Sequence, residues 1–137
     1  TSTLNVSGRE VSTIKIGKKY NSSFEGNLQL EVTTEDLGPK KRRMNWEDAK
    51  KLCADIGEGW RLPSKEELYF LYENKDEIGG FGDANYRRSA TDLSYWSSTS
   101  GKTNPGFYAW SISFKRGKER LFPKVQKKYV RAVRSIE

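Results

Sequence analysis

Two hydrophobic periods divide this chain. Across residues 44–60, MNWEDAKKLCADIGEGW, the apolar positions Trp46, Ala49, Leu52, Cys53 and Ile56 recur at spacings of three and four, and Glu47, Asp48, Lys50, Lys51 and Asp55 fill the opposite side. That spacing predicts an amphipathic helix of about eleven residues. Asn45 stands where an N-cap belongs, Asp48 is placed to return a bond to the exposed first turn, and Gly57 offers a left-handed end. After Pro63, Ser64 and Glu67 have the spacing of a capping box and open a second helix, whose buried stripe is Leu68, Leu71 and Tyr72.

Elsewhere the period is two. Val11, Ile14 and Ile16 suggest a first strand, broken at Gly17-Lys18-Lys19 and preceded by a small, polar, flexible lead-in over residues 1–9. Residues 28–32 alternate as a half-buried strand that stops at Leu37-Gly38-Pro39. The second helix is followed by strand and loop alone. The glycine-rich turn of residues 78–82 follows a helix and leads into polar loop, the wrong context for a phosphate cradle. Residues 95–99 form a strand with Trp96 facing the core. Tyr108, Trp110, Ile112 and Phe114 alternate with Ala109, Ser111 and Ser113 in the clearest strand of all. Residues 115–118 are its hairpin turn, and Arg120, Leu121 and Phe122 start the return strand, limited by Pro123. A last strand occupies residues 129–136. The order predicts an α+β layer arrangement, two short helices packed on a small, mainly antiparallel sheet with long loops.

Composition narrows the function. The 137 residues suit a single domain, read as an N-terminal strand and linker segment of residues 1–27 followed by a domain of residues 28–137. Only 34% of residues are hydrophobic, but four Trp, seven Tyr and six Phe let a small core bury much area per side chain. There is no histidine, which removes the usual general base and zinc ligand. A single cysteine forms neither an internal disulfide nor a cysteine-rich metal site, and Cys53 on the apolar helix face reads as a small buried hydrophobe. No run approaches the roughly eighteen apolar residues of a membrane span. The net charge of +7 is concentrated: residues 101–137 hold ten Lys or Arg against Glu119 and Glu137, whereas residues 1–100 hold fifteen against sixteen acidic groups. A field gathered in one region points to a partner. The basic run of residues 40–43 reads instead as a solvated turn.

An ordered set of motifs adds a resemblance. Trp46 with Ala49 and Cys53 is followed by Gly59-Trp60-Arg61-Leu62-Pro63-Ser64, Glu67-Leu68, Tyr95-Trp96-Ser97-Ser98-Thr99, Ala109-Trp110 and Val130-Arg131-Ala132-Val133-Arg134. Over residues 30–136 the chain resembles the bacterial and phage domain that also forms the C-terminal domain of a Legionella collagen-like adhesin. The resemblance implies a C-type-lectin-like fold, and an extracellular, cell-surface or virion location. The calcium-ligating signatures of classical C-type lectins are absent, with Thr103-Asn104-Pro105 only a faint echo and no neighbouring carboxylate. The paired cysteines of formylglycine-generating enzymes, which use a related fold, are absent too.

The four tryptophans match scaffold motifs and are expected in the core. Arg61, and Arg131 or Arg134, are expected to satisfy buried carbonyls or a carboxylate. Glu66 and Glu67, adjacent on a helix, point in different directions and suit the helix dipole better than catalysis. The candidate ligand-binding residues therefore lie in the C-terminal loops: Lys102, Asn104, Phe107 and Tyr108 in one group, and Lys115, Arg116, Lys118, Arg120 and Lys124 in the next. Asn85, Tyr86, Arg87 and Arg88 could join them. Basic residues interleaved with aromatics and amides suit polyanions. The adhesin relative, a glycosaminoglycan binder, favours a sulfated or otherwise anionic glycan over nucleic acid, with a cell-surface protein as the other partner class. These loops fall outside the matching motifs, so no binding residue carries across. The expectation is a non-enzymatic recognition domain without cofactor or metal and without membrane insertion. A structural module of a fibre, assembling as a homo-oligomer, is the alternative, and a hydrolase or transferase is the remote third.

Overall fold

The protein is described by a computed structural model over residues 2–18, 28–81, 93–104 and 106–136. Its first sheet starts with a hairpin. Strands β1 (Ser2–Val6) and β2 (Arg9–Lys18) meet through Ser7 and Gly8, both at positive φ (52° and 82°), with Val6 opposite Arg9. Two such residues make a turn whose twist matches that of the strands it joins. The Asn5 side-chain oxygen accepts the Gly8 N–H at 3.0 Å. Within the flexible lead-in expected over residues 1–9, Ser2–Val6 form an edge strand, with Val6 packed into the core and Leu4 against it. Strand β2 pairs antiparallel with β3 (Leu28–Thr33), which pairs with β7 (Val133–Ser135), giving the order β1-β2-β3-β7. Residues 2–18 therefore share one sheet with strands of the 28–137 segment.

Strand β3 was expected to be half-buried, yet both its faces are covered. Leu30 and Val32 lie beside Ile16 and Ile14 in one core, while Glu31 and Thr33 are equally buried on the opposite face. Those polar groups are partnered: Thr13 Oγ1 donates to Glu31 Oε2 at 2.6 Å, Arg134 donates to Glu31 Oε1, and Thr33 Oγ1 accepts the Ala132 N–H.

Helix α1 (Trp46–Asp55) has Asn45 as N-cap, its side chain accepting the Asp48 N–H at 2.9 Å. The Asp48 carboxylate in turn accepts from Asn45 Nδ2 at 3.1 Å. The helix closes on Ile56, whose N–H reaches Cys53 O, and Gly57 stands at φ 156°, outside the compact left-handed region expected of it. Helix α2 (Lys65–Glu73) carries the full Ser64–Glu67 capping box. A one-turn helix α3 (Lys75–Ile78) follows where only loop was expected, and Ile78 is buried.

The second sheet is β4 (Ser94–Ser100), β5 (Tyr108–Ser113) and β6 (Glu119–Pro123), in that order and antiparallel. Tyr95, Ile112 and Phe114 pack with Leu68 and Leu71 of α2 on one side. Trp96 and Ala109 pack with Trp46, Ala49 and Cys53 of α1 on the other. This sheet is held between the two helices. Trp46, Trp60 and Trp96 are core residues, but Trp110 is half-buried, with the Lys65 ammonium 4.3 Å from its ring centroid. The strand expected over residues 129–136 changes partner midway. Tyr129 bridges Tyr95 in parallel, and only from Val133 onward does the chain pair with β3. The expected α+β architecture is present, with the antiparallel strands divided between two sheets.

Candidate functional site

The β5–β6 hairpin gathers three of the candidate cations. Gly117 donates to Ser113 O and Ser113 donates to Lys118 O, closing the turn. Gly117 has φ 70°, and a Cβ there would lie 2.6 Å from the Tyr72 ring of α2. The turn is therefore seated on the helix. Cross-strand register sets Ser111 opposite Arg120 on β6 and opposite Trp96 on β4, with Ser113 opposite Ser94. Side chains two residues apart share a face, so Ser111 and Ser113 of β5 stand on one face with Arg120 and Phe122 of β6. Together with Ser94, Arg116 and Lys118 they line a small cleft on the part of this face beyond Trp96 and Ala109.

Arg116, Lys118 and Arg120 are exposed, and no carboxylate lines the cleft. Glu119 occupies the alternate position on β6, opposite Ile112, and so faces away. Phe122 closes one end, and the buried Lys128 places its ammonium 3.5 Å from the Phe122 ring centroid. The arrangement is a concave, cationic, hydroxyl-lined surface, suited to holding an oxyanion.

The other expected residues are placed elsewhere. Lys115 lines a separate hollow with Lys75, Asp76, Phe81 and Phe114. Lys102, Asn104, Phe107 and Tyr108 belong to the β4–β5 connection and the start of β5, so the length of that strand, roughly 20 Å, separates them from the Lys115–Lys118 turn. Asn104, Phe107 and Tyr108 border a shallow open depression, with Phe107 half-exposed and set edge-on to Tyr108. Lys124, expected on an exposed loop, is buried and holds its ammonium 3.8 Å from the Trp46 ring centroid. Asn85, Tyr86, Arg87 and Arg88 lie outside the described residues. Ser94, Ser111 and Ser113 are not among the candidates expected from the sequence. The serines of β5 were visible as the small polar partners in an otherwise aromatic alternation, but only the register shows that they meet Arg120 and Ser94.

The arginines expected to serve the scaffold do so. Arg131 is fully buried, donating from Nε to Asp36 Oδ1 at 3.0 Å, from Nη1 to Thr33 O at 2.7 Å and from Nη2 to Gly79 O at 3.0 Å. Its guanidinium lies 3.8 Å from the Phe81 ring centroid. Arg61 grips Glu67 with both terminal nitrogens. Burial pushes the Glu67 carboxyl up, but bonds from Arg61 and Ser64 outweigh it and hold the pKa below the ordinary value. Glu31 is held low in the same way: burial raises it, and Thr13, Arg134 and the nearby charges prevail. Burial drives the Cys53 thiol far above its usual range. Among the described residues no cluster of three His, Cys, Asp or Glu could hold a metal ion, and no helix is long and apolar enough to cross a membrane.

Comparison with known proteins adds a family and two similar solved structures. The Lcl C-terminal domain family matches residues 19–134. No curated protein sequence matches the chain. Among solved structures the chain is similar to botrocetin, with 17% identity over 84% of this chain and 95% of that one, at a TM-score of 0.49. A complex of botrocetin with a mutant von Willebrand factor A1 domain gives a match of the same identity and coverage at a TM-score of 0.48.

Proposed function

The chain belongs to the Lcl C-terminal domain family, and from that premise we propose that it is a non-enzymatic recognition and adhesion domain, exposed on a cell surface or virion, that holds an anionic glycan in the cleft of its C-terminal sheet. The observation that carries the reading is the convergence of Arg116, Lys118 and Arg120 on one carboxylate-free, serine-lined cleft. Each exposed ion contact is worth only ~0.2–1 kcal/mol. Three of them leave a single site near millimolar affinity or weaker. Useful adhesion then comes from repeated engagement along a polymer, where linked sites multiply a weak contact. Binding of this kind weakens as salt screens the charges.

The test is retention on immobilised heparin across a salt gradient, compared with a cation exchanger of matched charge. Two variants that each lose three cations separate position from charge: Arg116→Ala/Lys118→Ala/Arg120→Ala removes the cleft, whereas Lys102→Ala/Lys115→Ala/Lys127→Ala removes exposed charge elsewhere. The expected result is heparin-selective retention that the cleft variant loses and the control keeps. Equal loss in both variants, or elution no later than from the exchanger, would sink the reading and leave protein recognition as the better account.

A second reading, an assembly module of a fibre, has one observation in its favour. Phe107, Leu121 and Val125 are 50, 41 and 76% exposed at the Tyr108–Pro123 end of the sheet, away from the cleft. Sedimentation velocity over a hundredfold concentration range checks it. Self-association that Phe107→Ser/Leu121→Ser abolishes supports an assembly role, and a concentration-independent monomer removes it.

A further inference from the structure

Within the proposed anion-binding reading, on which this inference rests, one atom of the cleft has a chemistry that exposed cations do not account for. Ser111, in the middle strand of its sheet, is 1% exposed, and its Oγ makes no hydrogen bond. A buried hydroxyl left unpaired costs ~1–3 kcal/mol, and native folds keep few of them. The strand does not need this hydroxyl, since β5 pairs with its neighbours through the backbone and alanine would fit the same ladder. Ser111 is one of the residues lining the cleft that Arg116, Lys118 and Arg120 surround. Ser113 follows on the same face ~7 Å along the strand, and Arg120 stands ~5 Å away on the next strand. That spacing suits one compact oxyanion. Donors reach it from the strand face and from cations on the adjoining turn and strand, more directions than the two oxygens of a planar carboxylate can use.

We propose that Ser111 Oγ is the buried donor of a subsite for a single tetrahedral oxyanion, a sulfo or phosphoryl ester group on a larger ligand, and that its hydrogen bond selects among the anions the surrounding cations attract. The hydroxyl is then a recognition group kept at the expense of the fold.

The experiment measures binding of the intact chain to fluorescent dextran sulfate at several salt concentrations, beside Ser111→Ala, Ser111→Thr and Arg120→Ala. A hydrogen bond to a charged acceptor predicts that Ser111→Ala weakens binding about tenfold or more. It should leave the slope of log affinity against log salt unchanged, because no ion contact is lost, whereas Arg120→Ala lowers that slope. Ser111→Thr, which keeps a hydroxyl, retains most of the affinity. The thermal midpoint of Ser111→Ala equals or exceeds that of the parent, an outcome a structural role for the hydroxyl would not give. Sulfate and phosphate displace the probe better than acetate at matched ionic strength, and the stronger of the two identifies the ester. Unchanged binding in Ser111→Ala with a loss in Arg120→Ala overturns the subsite and leaves the adhesion reading standing. Displacement by acetate as effective as by sulfate overturns the tetrahedral assignment. No binding by the parent chain overturns both readings.

Discussion

Arg131 is the residue on which most of the structure converges. It reaches from the segment between the sheets to Asp36, to the end of β3 and to the turn after α3, and Tyr95 donates to the same Asp36 oxygen at 2.5 Å. Removing one partner of such a buried pair strands the other, at a cost of ~3–5 kcal/mol. Arg131→Ala is expected to lose that much in urea unfolding, and Arg131→Lys to recover less than half, because an ammonium cannot reproduce the planar fork that serves three acceptors. The sequence made part of this legible. An arginine flanked by Val130 and Ala132 has to be satisfied, but its carboxylate lies 95 positions away in the chain and no local pattern names it. Trp110 shows the opposite limit. Its alternation with Ala109 and Ser111 suggests the core, yet Trp110 is only half-buried, while Ile112, two residues further along the same face, is fully buried.

At the level of elements, the helices were the most legible parts because their caps are local chemistry. The Ser64–Glu67 box forms as its spacing predicts, and Ser64→Ala is expected to cost ~1 kcal/mol. Glu67 and Glu31 tie these elements to pH. Both carboxyls are held below their ordinary pKa, so their stabilisation is fully present above the unfolded value of about 4.3 and disappears as pH falls through the folded values. Thermal midpoints followed from pH 7 to 2.5 should fall at the acid end, and the fall should be shallower in Glu31→Gln and Glu67→Gln, each starting from a lower plateau. Partner exchange was the least legible feature. Residues 129–136 are uniformly strand-like, and the switch from β4 to β3 follows from where the two sheets sit, which periodicity does not encode.

For the molecule as a whole, charge location proved more informative than charge total. The C-terminal excess divides among scaffold cations such as Arg131, cations set over rings such as Lys124 and Lys128, and the exposed set at the cleft. That last group is gathered at one concave surface, whereas Lys102, Lys115 and Lys127 are exposed at other places. The chain has no histidine, the one side chain whose ordinary pKa falls between about pH 5 and 8. Heparin retention should be flat over that range at fixed salt, and a midpoint near pH 6.5 would contradict the assigned residues.

The turn resting on Tyr72 has a consequence for how such a domain can change over generations. Around the glycine that must remain, the side chains of Arg116, Lys118 and Arg120 are exposed. Selection can therefore rewrite positions 116, 118 and 120 while the backbone keeps its course, provided Gly117 stays. A randomised library at those three positions should yield mostly folded members with diverse ligand preferences, whereas randomising position 117 should empty the folded pool. Such a division lets a lineage follow a shifting host surface without rebuilding its frame.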